Sequence, residues 1–176
     1  QMYHYRDLGT ATLSEADSLR VAEEFLQEQG FPTMKLVDAQ NDGMFNDLTY
    51  VPVQEGAYIY SDMVKVQIAL DNGEVMNYDQ TSYITHHYER TIAAPRLSAD
   101  EVRRGMNPNF SVSDIRLALI PDEYSVREIL TYEVRGSVVE EDFAIFVDGQ
   151  TGEEVRIVRL TEPQEYLVNA QEDNSK

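Results

Sequence analysis

The sequence has no cysteine and no tryptophan. Without cysteine there is no disulfide framework, no thiolate metal site and no thiol nucleophile. Bases are scarce: 14 Lys and Arg stand against 32 Asp and Glu, for a net charge of −18. Such a surface repels phosphate backbones and anionic lipid, which argues against nucleic-acid binding. No apolar run approaches the roughly 20 residues that span a bilayer as a helix, and no leader peptide is visible. Catalytic signatures are missing too. No Gly-rich phosphate loop opens a helix, and there is no Gly-x-Ser-x-Gly elbow or His-Glu-x-x-His pair. Acid pairs are easy to find among 32 acids and so mean little. The sequence therefore assigns no catalytic residue, no cofactor and no metal.

Apolar residues make up 42% of the 176-residue chain, enough to build cores. The acidic excess speaks first to solubility, and more sharply to a basic protein partner. The chain is organised around a stretch that occurs twice. Val64, Val66, Ile68 and Leu70 share one face of a strand. Asp71-Asn72-Gly73 then supplies a tight reversal, and Glu74-Val75 starts the return. Later, Phe143, Ile145 and Val147 make the buried face, Asp148 opens a longer loop, and Gly152 takes the place of Gly73. Asp71, Gly73, Asp148 and Gly152 are the structural turn residues, with both glycines expected at positive φ. Three further landmarks recur in order: Leu13-Ser14 with Leu97-Ser98, Met34–Val37 with Ile115–Ala118, and Leu48-Thr49-Tyr50 with Leu130-Thr131-Tyr132. A period of about eighty residues is too long for a solenoid and predicts two tandem small domains.

In chain order, residues 1–10 open with an alternation, Gln1–Tyr5, like that of the strand at Val75–Tyr78. They predict the closing strand of a truncated preceding repeat, so that the chain is a fragment; an ordinary N-terminal strand is the alternative. A first module spans 11–80. Ser14 caps a helix whose apolar face carries Leu19, Ala22, Phe25 and Leu26, and Gly30 and Pro32 end it. Strands are predicted at Met34–Ala39, Leu48–Gln54, Met63–Leu70 and Glu74–Tyr78, with Pro52 marking an edge or bulge. Residues 81–95 form a connector. A second module spans 96–162, with a capping box at Ser98 and Glu101, a short helix, and strands at Ser113–Ile120, Ile129–Arg135, Glu141–Val147 and Glu153–Leu160. Residues 163–176 are a tail. Expected core residues are Leu19, Phe25, Leu26, Leu36, Tyr50, Val66 and Ile68, then Ile115, Leu117, Tyr132, Ile145 and Val147.

Three features invite a reading as sites. His86-His87 invites a metal reading, but neighbours on a strand point to opposite faces and zinc needs three or four converging ligands. Residues 38–49 place oxygen donors at positions 1, 3, 5 and 9 of a calcium-type loop, with Gly43 at position 6, yet Thr49 stands where a bidentate Glu is required. A polar loop explains the same composition. Among eleven tyrosines, Tyr58, Tyr60, Tyr83 and Tyr88 are candidate interface residues, since Tyr joins apolar area to a polar tip.

A capped helix followed by antiparallel strands and an apolar-Asp-x-x-Gly-Glu-apolar turn resembles the PepSY domain. The residues that carry the likeness are Leu70–Val75 and Val147-Asp148 with Thr151–Val155. The tandem copies, the acidic Cys-free composition and the Thr151–Ile157 ending are similar to the C-terminal region of the YpeB family of spore germination proteins. The resemblance implies an α+β fold of tandem modules, each one helix packed on a roughly four-stranded antiparallel sheet. It also implies a non-enzymatic protein outside the inner spore membrane, held by an N-terminal anchor absent from this chain. Its implied partner is a cortex-lytic hydrolase of SleB type. A peptidase-inhibiting or propeptide-like module, as PepSY domains resemble elsewhere, is the alternative.

Overall fold

The computed structural model describes residues 2–3, 6–31 and 33–160. The expected tail at 163–176, and part of the leading strand, lie outside the described residues. The chain order is β1 (Met2–Tyr3), α1 (Glu15–Glu28), β2 (Lys35–Asn41), β3 (Phe45–Val51), β4 (Val53–Gln54), β5 (Ala57–Ile59), a 3-10 turn (Tyr60–Asp62), β6 (Val64–Ala69), β7 (Val75–Asp79), α2 (Thr81–His86), α3 (Ala99–Gly105), β8 (Ser111–Pro121), β9 (Glu128–Val138), β10 (Glu141–Asp148) and β11 (Glu154–Arg159). The fold is α+β, with short helices on antiparallel sheets. Two compact units emerge. One takes the chain up to Val53 with Ile59–Glu89, and the other takes Gln54–Tyr58 with the chain from Arg90 onward.

The first unit holds a five-stranded sheet ordered β1-β7-β6-β3-β2. Ser14 caps α1 by accepting the amide of Asp17. Gly30, at φ +90, ends it in a conformation a Cβ would disfavour. Ala22 and Leu26 are buried against Leu48, Tyr50, Val64, Val66, Ile68 and Tyr78, with Leu19, Phe25 and Leu36 partly buried beside them. Phe25 meets Tyr78 edge-on at 5.0 Å.

The second unit's sheet is six-stranded, ordered β11-β10-β9-β8-β5-β4. The capping box of α3 is complete: Ser98 Oγ accepts the Glu101 amide while Glu101 Oε2 accepts the Ser98 amide. Its core joins Val102, Met106 and Phe110 to Tyr132, Val134, Ile145 and Val147, with Ile115 and Leu117 partly buried. Val139 and Glu140, at φ +48 and +64, form the two-residue turn between β9 and β10; such φ values are uncommon outside glycine and asparagine.

The four strands expected of each module are present, with β1 added to one sheet and β4 and β5 to the other. Most strand ends shift by one to three residues, and two differences from expectation have a physical reason. The strand predicted at Leu48–Gln54 begins at Phe45 and stops at Val51, because Pro52 has no N–H for a ladder. The segment 81–95 contains α2, six residues long with no buried residue, too short and too exposed to leave a periodic signal.

The internal repeat is real, but two of its four landmarks slide. Its true register is set by matching bonds. Leu13 N donates to Leu70 O and Leu97 N to Gly149 O; Leu70 N donates to Met44 O and Gly149 N to Leu130 O; Gly73 N donates to Ala69 O and Gly152 N to Asp148 O. Bulges recur in step, at Leu36/Asp38 and Val112/Asp114, and again at Gln67/Ile68 and Phe146/Val147. Leu36 faces Tyr50 as Val112 faces Gly136. Hence Leu48 corresponds to Val134 rather than Leu130, and Leu36 to Val112 rather than Leu117. Leu-Thr-Tyr recurs on the equivalent strand, in a different register.

Candidate functional site

The conserved architecture of the two copies directs attention to the turn after β6 and β10 and to the strand that follows it. In the first copy the Asp71 carboxylate accepts two bonds from the Arg6 guanidinium, at 2.7 and 2.5 Å, and a third from the Gly9 amide at 2.6 Å. Arg6 also donates to Glu74 Oε2 and to Asn72 Oδ1. These bonds from Arg6, and then the Gly9 amide, hold the Asp71 carboxyl well below the usual carboxylate range. In the second copy Asp148 folds onto its own loop, accepting the amides of Gln150 and Thr151 at 2.6 and 3.1 Å. Arg96 Nε donates to the Gln150 carbonyl at 2.8 Å. By the register, Asp71 corresponds to Gln150 and Asp148 to Ala69, so the two aspartates have different jobs.

The glycines are alike. Gly73 and Gly152 sit at φ +78 and +80. A Cβ on Gly73 would lie 3.1 Å from Leu13 Cδ2, and one on Gly152 would lie 3.0 Å from Leu97 Cδ1. The same leucine closes over the same turn in both copies.

The strands after the turns differ. β7 is flanked on its outer side by β1, with Tyr78 opposite Met2 and Asn77 opposite Tyr3. β11 is the last strand of its sheet among the described residues.

Glu133 on β9 is a fully buried carboxylate. Arg116 donates to it through Nε and Nη2 at 2.8 and 2.9 Å, and Arg135 through Nε at 2.6 Å. Burial alone would push this carboxyl up; the bonds and charges of the two arginines reverse that and hold it down. The register places Asp47 at the same point of the first copy, where it is exposed and takes only a Gln67 amide. The Glu133 cluster escapes a reading of the sequence: Arg135 lies two residues along the same strand, but Arg116 reaches Glu133 only across the β8–β9 ladder.

The candidate tyrosines are dispersed. Tyr58 belongs to the second unit, with the Arg116 guanidinium 4.2 Å over its ring. Tyr60 is 2% exposed and presents no surface. Tyr83 stacks on His87 at 4.2 Å and meets Phe31 edge-on. Tyr88 is exposed. His87 Nδ1 lies 2.7 Å from Asp62 Oδ2, and His86 Nδ1 lies 3.0 Å from the Ser82 carbonyl. In the calcium-type loop, Asn41 Oδ1 accepts the Gly43 amide, and Asp42 Oδ1 accepts those of Met44 and Phe45. Those oxygens hold their own backbone. Among the described residues no group of three acids or histidines is placed to hold a metal ion, and no helix is long and apolar enough to cross a membrane.

A family model described as YpeB sporulation, PepSY1 and PepSY2 domains, matches residues 1–93. The chain belongs to the YpeB sporulation family. It is 32% identical over 160 residues to the sporulation protein YpeB of Bacillus subtilis, covering 88% of this chain and 35% of that one. It is 30% identical over 159 residues to the YpeB of Halalkalibacterium halodurans, covering 90% of this chain and 35% of that one. The chain thus spans about a third of the length of the curated relatives it matches. Among solved structures, the Bacillus megaterium YpeB C-terminal domain superposes with a TM-score of 0.84 at 27% identity, over 91% of this chain and 71% of that one. The YpeB family is a sporulation family, and this fold is that of its C-terminal domain.

Proposed function

We propose that this YpeB-family chain is a non-enzymatic accessory protein of spore germination that binds and stabilises or regulates a cortex-lytic hydrolase of SleB type. Its place would be the outer side of the inner spore membrane, with any membrane attachment supplied by an anchor N-terminal to this sequence. The observation that carries the reading is how the polar groups are used. Asp71, Asp148, Glu133 and Asp62 are each engaged by a guanidinium, an amide or an imidazole of the chain's own frame. A catalytic acid or nucleophile would instead face a space where a substrate atom can sit. What remains for function is surface, and that surface is strongly acidic.

The mechanism is mass action. A hydrolase bound only in its folded form is drawn away from unfolded, protease-sensitive states, by about 2.7 kcal/mol at a hundredfold excess over Kd. The experiment mixes the purified chain with the hydrolase and measures binding and protease resistance together. Binding with slowed proteolysis is expected. Neither binding nor protection, with the region N-terminal to this sequence also supplied, sinks the proposal; cleavage of peptidoglycan by the chain alone replaces it with an enzyme.

A further inference from the structure

The sequence contains a single Asn-Gly pair, Asn72-Gly73, and it stands at the turn between β6 and β7. Asparagine is a thermolabile residue. A glycine after it makes it more so, because no Cβ hinders the approach of the next backbone nitrogen to the side chain. The reaction is internal. The Gly73 nitrogen gives up its proton to hydroxide and bonds to Asn72 Cγ, and the Cγ–Nδ2 bond breaks with loss of ammonia. Water then opens the resulting five-membered imide at one of its two carbonyls and leaves aspartate or isoaspartate. One water is consumed and one ammonia released, with no oxidation or reduction.

Each group that the reaction needs is tied to another partner in the fold. Gly73 N donates to Ala69 O at 2.9 Å, so the proton that must leave is held within the turn. Asn72 Oδ1 accepts the Glu74 amide at 2.9 Å, which draws the carboxamide past Gly73 toward the residue beyond. Arg6 Nη2 donates to the same oxygen at 2.7 Å. A charged donor on a carbonyl also makes its carbon more electrophilic. Position outweighs that effect: an attacking atom has to come within about 3–3.5 Å with its orbitals aligned, and these bonds keep nucleophile and electrophile on different partners. Asn72 itself is exposed, so water and hydroxide reach it.

The second copy shows which of these bonds belongs to the turn and which is particular to Asn72. Gly152 N donates to Asp148 O at 2.9 Å, as Gly73 N does to Ala69 O. Thr151 stands where Asn72 stands, and its Oγ1 accepts the Glu153 amide at 3.2 Å, as Asn72 Oδ1 accepts that of Glu74. Threonine carries no amide to lose. There Arg96 donates to the Gln150 carbonyl instead. The arginine bond to the side chain at this position thus stands in the copy whose residue is labile. We propose that Asn72 is a site of covalent modification, deamidation to aspartate or isoaspartate by solvent water, and that Arg6 is the residue that restrains it. The product acts on the leading segment. Isoaspartate puts an extra methylene into the main chain of the turn on which that segment lies: the Thr12 and Leu13 amides bond to Leu70 O, and Thr12 Oγ1 donates to Asp71 O. Aspartate sets a third carboxylate beside Arg6, which already holds Asp71 and Glu74.

The test incubates the full chain in mildly alkaline buffer, folded and in denaturant. Asn72 is followed by peptide mapping in a mass spectrometer, with isoaspartate identified by fragmentation. The denatured chain should gain the mass of an amide-to-acid change at Asn72, and folded wild type should do so at least tenfold more slowly. Arg6→Met, checked to be folded, should deamidate at least threefold faster than folded wild type. Should that variant fold poorly, Arg6→Lys keeps a charge beside Asp71 and Glu74 without the fork that reaches all three side chains, and should also raise the rate. Leu26→Ala weakens the core without touching the turn; while folded it should keep the wild-type rate, which separates the clamp from global opening. Hydrogen exchange at Gly9, Thr12 and Leu13 should rise as isoaspartate accumulates. No reaction at Asn72 in the denatured chain, equal rates folded and denatured, or a wild-type rate in both Arg6 variants overturns the proposal. So does a Leu26→Ala rate that matches theirs.

Discussion

The two copies share a frame and differ in how it is filled. At equivalent points of β3 and β9, the first copy places Tyr50, fully buried, and the second places Gly136. Around Gly136 the space is already taken: an added Cβ would lie 2.3 Å from the Ser111 carbonyl and 2.8 Å from the Phe110 ring. One copy fills its core from the sheet with a long helix above it. The other fills it with Phe110, which follows a helix of half the length. The repeat therefore conserves strand register, bulges and turn geometry, and leaves volume to be supplied from either side. The pattern of hydrogen bonds is the inherited object, and the side chains are fitted to it afterwards.

The sharpest way to break this comparison is at that point. Tyr50→Ala should destabilise the first unit by about 3–5 kcal/mol, the range for a large core side chain. Gly136→Val should cost about 1–3 kcal/mol or more through overpacking against a backbone carbonyl. Thermal and denaturant melts would check both. A Gly136 variant that melts like wild type means the space around Phe110 is not filled as described. Tyr50→Phe goes the other way: the Tyr50 hydroxyl is buried without a partner among the described residues, so losing it should be neutral or slightly stabilising.

A smaller effect tests what the copies share. Gly73→Ala and Gly152→Ala should each cost about 1–2 kcal/mol, since both hold a positive φ beneath a leucine. Similar losses support one inherited turn, and a loss at one site only makes the likeness superficial.

The smallest effect should separate the aspartates. The folded-state pKa of Asp71 is depressed by Arg6, so its contribution is present above the unfolded value of about 3.9 and is lost as pH falls below it. The folded form holds fewer protons than the unfolded one in that window, which gives stability a positive slope with pH. Arg6→Met should flatten the slope between about pH 4 and 2, modestly, because the pair is partly exposed and salt screens it. An unchanged acid limb in that variant removes the clamp from the account.

How much of this was legible follows from where the signals live. Ser14 and Ser98, with their caps, and the glycine turns are local chemistry, and they mark the repeat correctly. Between them the copies change length. A helix of 14 residues becomes one of 7, the β8–β9 hairpin runs on past its β2–β3 counterpart, and a two-residue turn at Val139-Glu140 replaces the path from Val51 to Val64. A match of Leu-Thr-Tyr in sequence could not register those changes. Leu26, Tyr50, Val66, Ile68, Tyr132, Ile145 and Val147 are buried, because alternation reports the buried face well. Val155 and Ile157 carry the same alternation and are exposed. Periodicity states which face a residue takes, and whether anything covers that face depends on neighbours the pattern does not contain.

The place of β4 and β5 has a consequence for assembly in time. The strands from β8 to β11 are joined by hairpins, so their pairings are local and close quickly. β5, by contrast, is synthesised well before its ladder partner β8 exists. Until then Ala57–Ile59 has only the two-residue β4 beside it and leaves its other edge open in a nascent chain, the kind of edge that invites wrong partners. Gln54, Glu55 and Gly56 at its tight turn are polar or small, and Pro52 precedes it. Those residues act as gatekeepers on a strand that must wait.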